Sequence, residues 1–190
     1  MKKNTYLTPQ EEFWAGEFGK SYINRNDGQE LLASNLAFFS HALKHAPQIS
    51  SCLELGANIG MNLRAIKMLY PSIKLKGVEI NLDAYEQLTG LIGDGALHGS
   101  ILHYPVHEKV DLALIKTVMI HINPEHLNTV YEKLYQASNR YILVCEYYNT
   151  TPVTINYRGH TDRLFKRDFA GEMLDKYTDL VLIDYGFAYH

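Results

Sequence analysis

Short apolar runs alternate with amphipathic stretches along most of this chain. Residues 51–55, 73–78, 110–118 and 140–147 are rich in aliphatic and β-branched side chains and predict buried strands. Residues 100–104 and 180–189 predict two more. Between them lie stretches of helical period. Residues 29–45 place Leu32, Leu36, Phe39 and Leu43 on one stripe, and 62–70 do the same with Leu63, Ile66 and Leu69 before Pro71 stops the helix. Shorter helices are predicted at 82–88 and 168–176, and a longer one at 124–138, with Leu127, Val130, Leu134 and Tyr135 recurring. Thr8-Pro9-Gln10-Glu11 is a helix start: threonine caps, proline fits the first turn, and glutamate completes a capping box. That helix carries Phe13 and Trp14, and Gly16 and Gly19 are expected to break it. A polar loop at 24–27, a glycine-rich segment at 90–99 and the polar stretch 149–167 are expected to be irregular. Strand–helix alternation predicts an α/β fold: a doubly wound, mainly parallel sheet with helices on both faces.

The 190 residues fit one domain, 1–190, with N-terminal helices over 1–47 and the sheet-bearing core over 48–190. Hydrophobic content of 46% and charged content of 21% are ordinary for a globular chain. A net charge of −3 gives no general attraction to nucleic acid or to anionic membranes. No apolar run reaches membrane-spanning length, and the first residues lack the apolar stretch of a signal peptide, so a cytoplasmic protein is expected. Cys52 and Cys145 fall in different strands, expected to lie roughly 10 Å apart across an intervening one at ~4.8 Å per strand, too far for a disulfide. The nine histidines show no metal-ligand spacing; His41/His45 and His103/His107 bring no third ligand.

Chemistry concentrates at the end of the first strand. Glu54-Leu55-Gly56-Ala57-Asn58-Ile59-Gly60 closes that strand and opens a helix, so its glycines let a ligand approach the backbone closely. The second strand ends in Glu79, about where a carboxylate grips ribose hydroxyls. A dinucleotide fingerprint would read G-x-G-x-x-G, but Asn58 and Met61 stand where its second and third glycines belong. Asn58 tolerates a left-handed backbone.

The loop resembles motif I of class I S-adenosylmethionine (SAM) methyltransferases, whose ligand carries a sulfonium and an ammonium in place of a phosphate. More widely, the chain resembles the methyltransferases associated with pseudaminic acid and related surface-sugar biosynthesis. The resemblance is carried by Thr8 to Gly19, the loop 54–60, Gly77 to Asn81, His121 to Pro124, Glu146 to Asn149, Tyr157 to His160 and Asp162 to Phe169. It implies a Rossmann-like methyltransferase fold, SAM as donor, S-adenosylhomocysteine (SAH) as product, and a sugar-derived acceptor. That family ends in an antiparallel pair of strands, whereas here the sequence stops at Tyr189-His190, so the usual seventh strand is expected to be missing. An exposed edge of that kind favours lower stability or pairing with another chain, as in a homodimer.

Ligands of open α/β sheets sit beyond the carboxyl ends of the strands. That rule gathers Glu54, Gly56, Ala57, Asn58, Gly60, Glu79, Ile80, Ser100, Ile101, Lys116 and Thr117 as donor-binding candidates. His121 is the candidate general base, since histidine titrates near neutral pH; its alternative roles are to orient the methionine end of SAM or to cap the helix behind it. Glu146 is the other candidate base and Tyr147 a further catalytic candidate; Tyr147 and Tyr148 alternatively shape the acceptor pocket or simply pack. Tyr22, Arg25, Asn149, Arg158, His160, Arg163 and Arg167 complete the acceptor candidates. Arg158 to Arg167 holds four of the 18 Lys and Arg residues, and arginine forks suit the carboxylate of an acidic sugar or the phosphates of a nucleotide-linked one. The expected function is methyl transfer from SAM to a small anionic sugar acceptor; the alternatives are a SAM- or sugar-binding partner without turnover, or an RNA or other small-molecule methyltransferase.

Overall fold

The computed structural model describes residues 6–26 and 28–188. Asp27, at the end of the expected polar loop, and Tyr189, at the end of the expected sixth strand, lie outside them. Five parallel strands form the central sheet in the order β3-β2-β1-β4-β5. They are β1 (Ser51–Leu55), β2 (Lys74–Glu79), β3 (Ala96–His98), β4 (Val110–Lys116) and β5 (Ser138–Cys145). The register pairs Leu53 with Lys76 on one side and with Ala113 on the other.

Alternation along the strands feeds two cores. Leu53, Leu55, Ala113 and Ile115 face α6 (Leu127–Ala137) and α7 (Phe169–Lys176), where Val130, Leu134 and Phe169 are buried. Cys52, Leu112 and Leu114 face α3 (Gln29–Ala42), α4 (Met61–Leu69) and α5 (Leu82–Ile92), where Phe39, Ile66 and Leu88 are wholly buried. Helices therefore cover both faces, as the strand–helix alternation predicts. Cys52 and Cys145 are free, with β4 between their strands.

The N-terminal segment forms α1 (Pro9–Ala15) and α2 (Glu17–Ile23). The capping box is complete: Thr8 Oγ1 accepts from Glu11 N–H, and Glu11 Oε2 accepts from Thr8 N–H at 2.8 Å. Gly16 separates the two helices, but Gly19 does not break α2, where a side chain on it would strike the Trp14 carbonyl. Among the described residues no helix is long and apolar enough to cross a membrane, and no three His, Cys, Asp or Glu side chains converge as metal ligands.

Three expectations are corrected. The third strand lies at Ala96–His98, inside the glycine-rich segment, and 100–104 is a turn. Ser100 causes this, since its Oγ accepts from Leu102 N–H and its carbonyl from His103 N–H. The polar stretch 149–167 is not irregular: β6 (Val153–Tyr157) and β7 (His160–Lys166) form an antiparallel hairpin. Its two-residue turn, Arg158-Gly159, has positive φ at both positions (53° and 86°), which matches the twist of the flanking strands. The expected sixth strand is absent: 180–188 finds no ladder partner among the described residues. Lys44 pairs with Asp184 at 3.0 Å, Phe187 packs on Tyr148, and Val181 and Tyr185 stay largely exposed.

Candidate functional site

A cavity of about 160 Å³ opens at the carboxyl ends of β1, β2, β3 and β4, roofed by α1, α2 and α3. Nine of the donor-binding candidates line it: Gly56, Ala57, Asn58, Glu79, Ile80, Ser100, Ile101, Lys116 and Thr117. Tyr22 and His121 line it as well.

The floor is the loop after β1. Gly56 N–H and Ala57 N–H both donate to the Val78 carbonyl, which curls the chain over the end of β2. Gly56 has φ +77°, and a Cβ there would lie 2.6 Å from Val118 Cγ2, so glycine is required both for its conformation and for the close approach. Asn58 takes φ +49°, and its Oδ1 accepts from Ile59 N–H at 2.7 Å. Gly60 opens α4 at φ +84° without lining the cavity. Glu54 lies behind the loop, wholly buried: Oε1 accepts from Asn62 Nδ2 at 2.6 Å, while Oε2 has no hydrogen-bond partner among the described residues.

Glu79 ties two strand ends together, accepting from Asn58 N–H at 2.8 Å and from Asn81 N–H at 2.7 Å. Asn81 then clamps the roof. Its Nδ2 faces the carbonyls of Trp14 (3.1 Å), Gly16 (3.2 Å) and Ala15 (3.3 Å), and its Oδ1 caps α5 at Ala84 N–H. Ser100 hydrogen-bonds Glu11, so the capping-box glutamate also fastens α1 to the turn after β3.

Three buried carboxyls crowd this end of the sheet. Burial pushes Glu54 up to about 8, opposed by the Asn62 hydrogen bond and the Lys116 charge. Burial also raises Glu79, against the N–H bonds from Asn81, Asn58 and Ile80. Glu146 rises to about 7 for the same reason, although Met119 and Val118 N–H both donate to its Oε1 at 2.9 Å. Glu146 therefore holds the 3₁₀ turn Met119–His121 and does not line the cavity.

That turn presents His121, which is 8% exposed. Its Nδ1 lies 2.6 Å from the Arg163 carbonyl, an acceptor, so Nδ1 carries the proton and Nε2 the lone pair. Burial depresses the ring to about 4, against that hydrogen bond, and it is neutral near pH 7. Trp14 (4.6 Å between ring centroids) and Tyr157 (5.1 Å) pack against it.

The remaining acceptor candidates do not line the cavity. Arg163 pairs with Asp162 and lies over Phe13, and Arg167 pairs with Glu172 at 2.8 Å. Arg158 lies over the Tyr157 ring, and His160 meets Phe13 edge-on, at the hairpin tip. Tyr147 and Tyr148 are 40% and 48% exposed, Asn149 Nδ2 donates to the Thr151 carbonyl, and Arg25 is exposed. The structure adds lining residues that the sequence reading passed over, chiefly Asn35, Asn62 and Asn81. Asn35 had a signal: a lone polar residue three places after Leu32 and four before Phe39, on an otherwise apolar stripe.

By sequence, no protein-family profile and no curated protein matches the chain. By structure, a SAM-dependent methyltransferase of Leishmania major superposes with a TM-score of 0.67 at 15% identity, over 88% of this chain and 70% of that one. The mitomycin 7-O-methyltransferase MmcR gives 0.62 at 15% identity over 89% of this chain and 54% of that one, so the chain spans about half its length. BpumL, the plantazolicin methyltransferase solved with SAH, gives 0.52 at 18% identity over 73% and 57%. With its mainly parallel five-stranded sheet and flanking helices, the chain has the α/β Rossmann-like fold of class I methyltransferases.

Proposed function

We propose that the protein is a SAM-dependent methyltransferase acting on a small, anionic, sugar-derived acceptor. A fold does not fix an activity, so the reading rests on the site. The observation that carries it is one cavity joining the glycine loop after β1, Glu79 after β2 and Lys116-Thr117 after β4, with His121 on its wall. The residues suit an adenosyl sulfonium: a Cβ-free cradle at Gly56, and Glu11 and Glu79 against one lysine among the described lining residues.

In this reading Glu79 takes the ribose hydroxyls through the lone pairs left by Asn58 and Asn81. Ile80, Ile101 and Ser100 would hold the adenine, and the backbone of 56–60 the amino-acid end. Bound there, SAM supplies an electrophilic methyl group on a sulfonium. The chain's own task is positioning, because displacement at carbon needs donor and acceptor aligned. His121 Nε2 would accept a hydrogen bond from the acceptor hydroxyl and take up its proton on methyl transfer, the donor's carbon–sulfur bond breaking as SAH leaves. The Nδ1–H bond to the Arg163 carbonyl keeps that lone pair available. Residues 6–26 and 28–47 act as the roof and 48–188 as the core of one domain.

The acceptor class comes from the family resemblance and from the basic hairpin alone. Since Arg163 and Arg167 already have carboxylate partners, Arg158 and Lys166 are the cations best placed to meet an acidic sugar. The test is SAH release from SAM in the presence of acidic and nucleotide-linked sugars. Release that requires one of them, with methyl transfer confirmed by mass, supports the reading. Tight SAM binding without turnover on any of them favours a binding protein instead.

A further inference from the structure

Gln10 and Trp14 stand one turn apart on the same face of α1, and both line the cavity. Gln10 Nε2 donates to the Asp162 carbonyl at 2.9 Å, which fixes the carboxamide and leaves Oε1 as its remaining acceptor. That oxygen is buried and has no hydrogen-bond partner among the described residues, and the same holds for the Trp14 Nε1 donor. A buried donor or acceptor left unpaired has given up its hydration for nothing, and native structures keep few of them without a reason. Here one of each kind comes from neighbouring side chains on a ligand-sized cavity.

Both are tied to the reacting end of that cavity. The Trp14 ring packs on His121 at 4.6 Å between centroids. Asp162, which holds Gln10, precedes Arg163 on β7, whose carbonyl lies 2.6 Å from His121 Nδ1. Two successive carbonyls of one strand therefore orient two side chains, and each keeps an acceptor atom: Gln10 Oε1 and His121 Nε2.

We propose that Gln10 and Trp14 are specificity-determining residues that read a second hydroxyl on the acceptor, adjacent to the one methylated. The inference rests on the methyltransferase reading and adds to it the form of the acceptor's reacting end, a vicinal diol. A hydroxyl both donates and accepts, so one hydroxyl satisfies Gln10 Oε1 and Trp14 Nε1–H together. A carboxylate brings no proton for Gln10, and an ammonium brings no lone pair for Trp14. With its proton held by Gln10, the second hydroxyl is kept from His121 Nε2, and only its neighbour is methylated. The donor's ribose is itself a vicinal diol, so the test separates the two sources.

Trp14 is the only tryptophan of the chain, so its indole N–H gives a single nitrogen-15 resonance. The experiment follows that resonance in SAH-saturated protein during titration with cis- and trans-1,2-cyclohexanediol and with cyclohexanol. One of the diols should bind at least about tenfold tighter than cyclohexanol, the worth of two neutral hydrogen bonds, and should move the indole proton downfield. Gln10→Met should bring that diol to within about threefold of cyclohexanol. If Gln10→Met folds poorly, the wild-type comparison decides alone. Three results overturn the inference while leaving the donor site standing: diols and cyclohexanol binding alike, a folded Gln10→Met that keeps the preference, or an indole proton that moves downfield with SAH and no further with a diol. The last would give the pair to the donor's ribose. Wild type that does not bind SAH overturns the methyltransferase reading itself.

Discussion

The carbonyl oxygen of Arg163 lies 2.6 Å from Nδ1 of His121, so the β7 strand of the hairpin fixes the tautomer of the ring on the cavity wall. A residue from a segment remote in sequence thereby decides which nitrogen can accept a proton. His121→Phe keeps an aromatic surface for Trp14 and Tyr157 but removes Nε2. It should lower kcat by about 10²- to 10⁴-fold, the usual worth of a positioned base, and leave SAH binding within about threefold. Single-turnover rates alongside SAH titration check this. A comparable loss of SAH affinity would instead assign His121 to donor binding.

Stability should fall as pH rises above 6.5. Glu54 and Glu146 titrate at about 8 and about 7 in the fold, against an ordinary 4.5, so the folded chain keeps protons that the unfolded chain has released. Their contribution declines from pH 4.5 through 8. His121 runs the other way. Depressed from 6.5 to about 4, it favours folding as pH rises across that window, offsetting the carboxyls there. Only the decline remains above 6.5. Thermal midpoints from pH 6.5 to 8.5 should fall for wild type and flatten for Glu54→Gln, whose amide oxygen still accepts from Asn62. A flat wild-type profile would contradict these assignments.

Gly56→Ala forces a side chain into a left-handed backbone and against Val118, with overlap and strain together worth about 2–4 kcal/mol. Gly90→Ala is the control. Gly90 lies within α5, and a Cβ there meets nothing within 4 Å, so the change should stabilise by about 0.5–1 kcal/mol. Urea unfolding of the two variants should move in opposite directions.

Asn81→Asp keeps the cap on α5 but replaces a donor with a carboxylate facing the carbonyls of Trp14, Ala15 and Gly16. The roof should loosen while the sheet stays intact. Hydrogen exchange across α1 and α2 should speed by at least tenfold with β1 and β4 unchanged, and SAH should dissociate faster. Uniformly faster exchange would mean that Asn81 serves global stability.

The sheet was readable where burial writes itself as unbroken apolar runs, as in β1, β4 and β5. It was not readable at β3, which has three residues, two of them exposed, between glycines. The hairpin was hidden by polar composition, although Val153, Ile155 and Tyr157 alternate and Arg158-Gly159 is a two-residue turn sequence. The strand-end rule gathered most of the cavity wall. The arginines misled because their carboxylate partners depend on the local fold: Asp162 adjoins Arg163 on β7, and Glu172 meets Arg167 only once α7 has formed. Asn35 was lost inside an apolar stripe, and its place on the cavity wall emerges only once α3 packs over the sheet.

The most direct measurement is thermal unfolding of wild type and Glu79→Ala with SAM, SAH and NAD. A ligand at 100 times its Kd adds about 2.7 kcal/mol to folding, a shift of roughly 5–11 °C for a chain of this size. Glu79→Ala should itself melt lower, because two buried N–H groups lose their acceptor. The account predicts that SAM and SAH raise the wild-type midpoint, that NAD does not, and that the variant loses the response while still unfolding cooperatively. A well-folded wild type that ignores both adenosyl ligands would contradict the donor site and every step built on it.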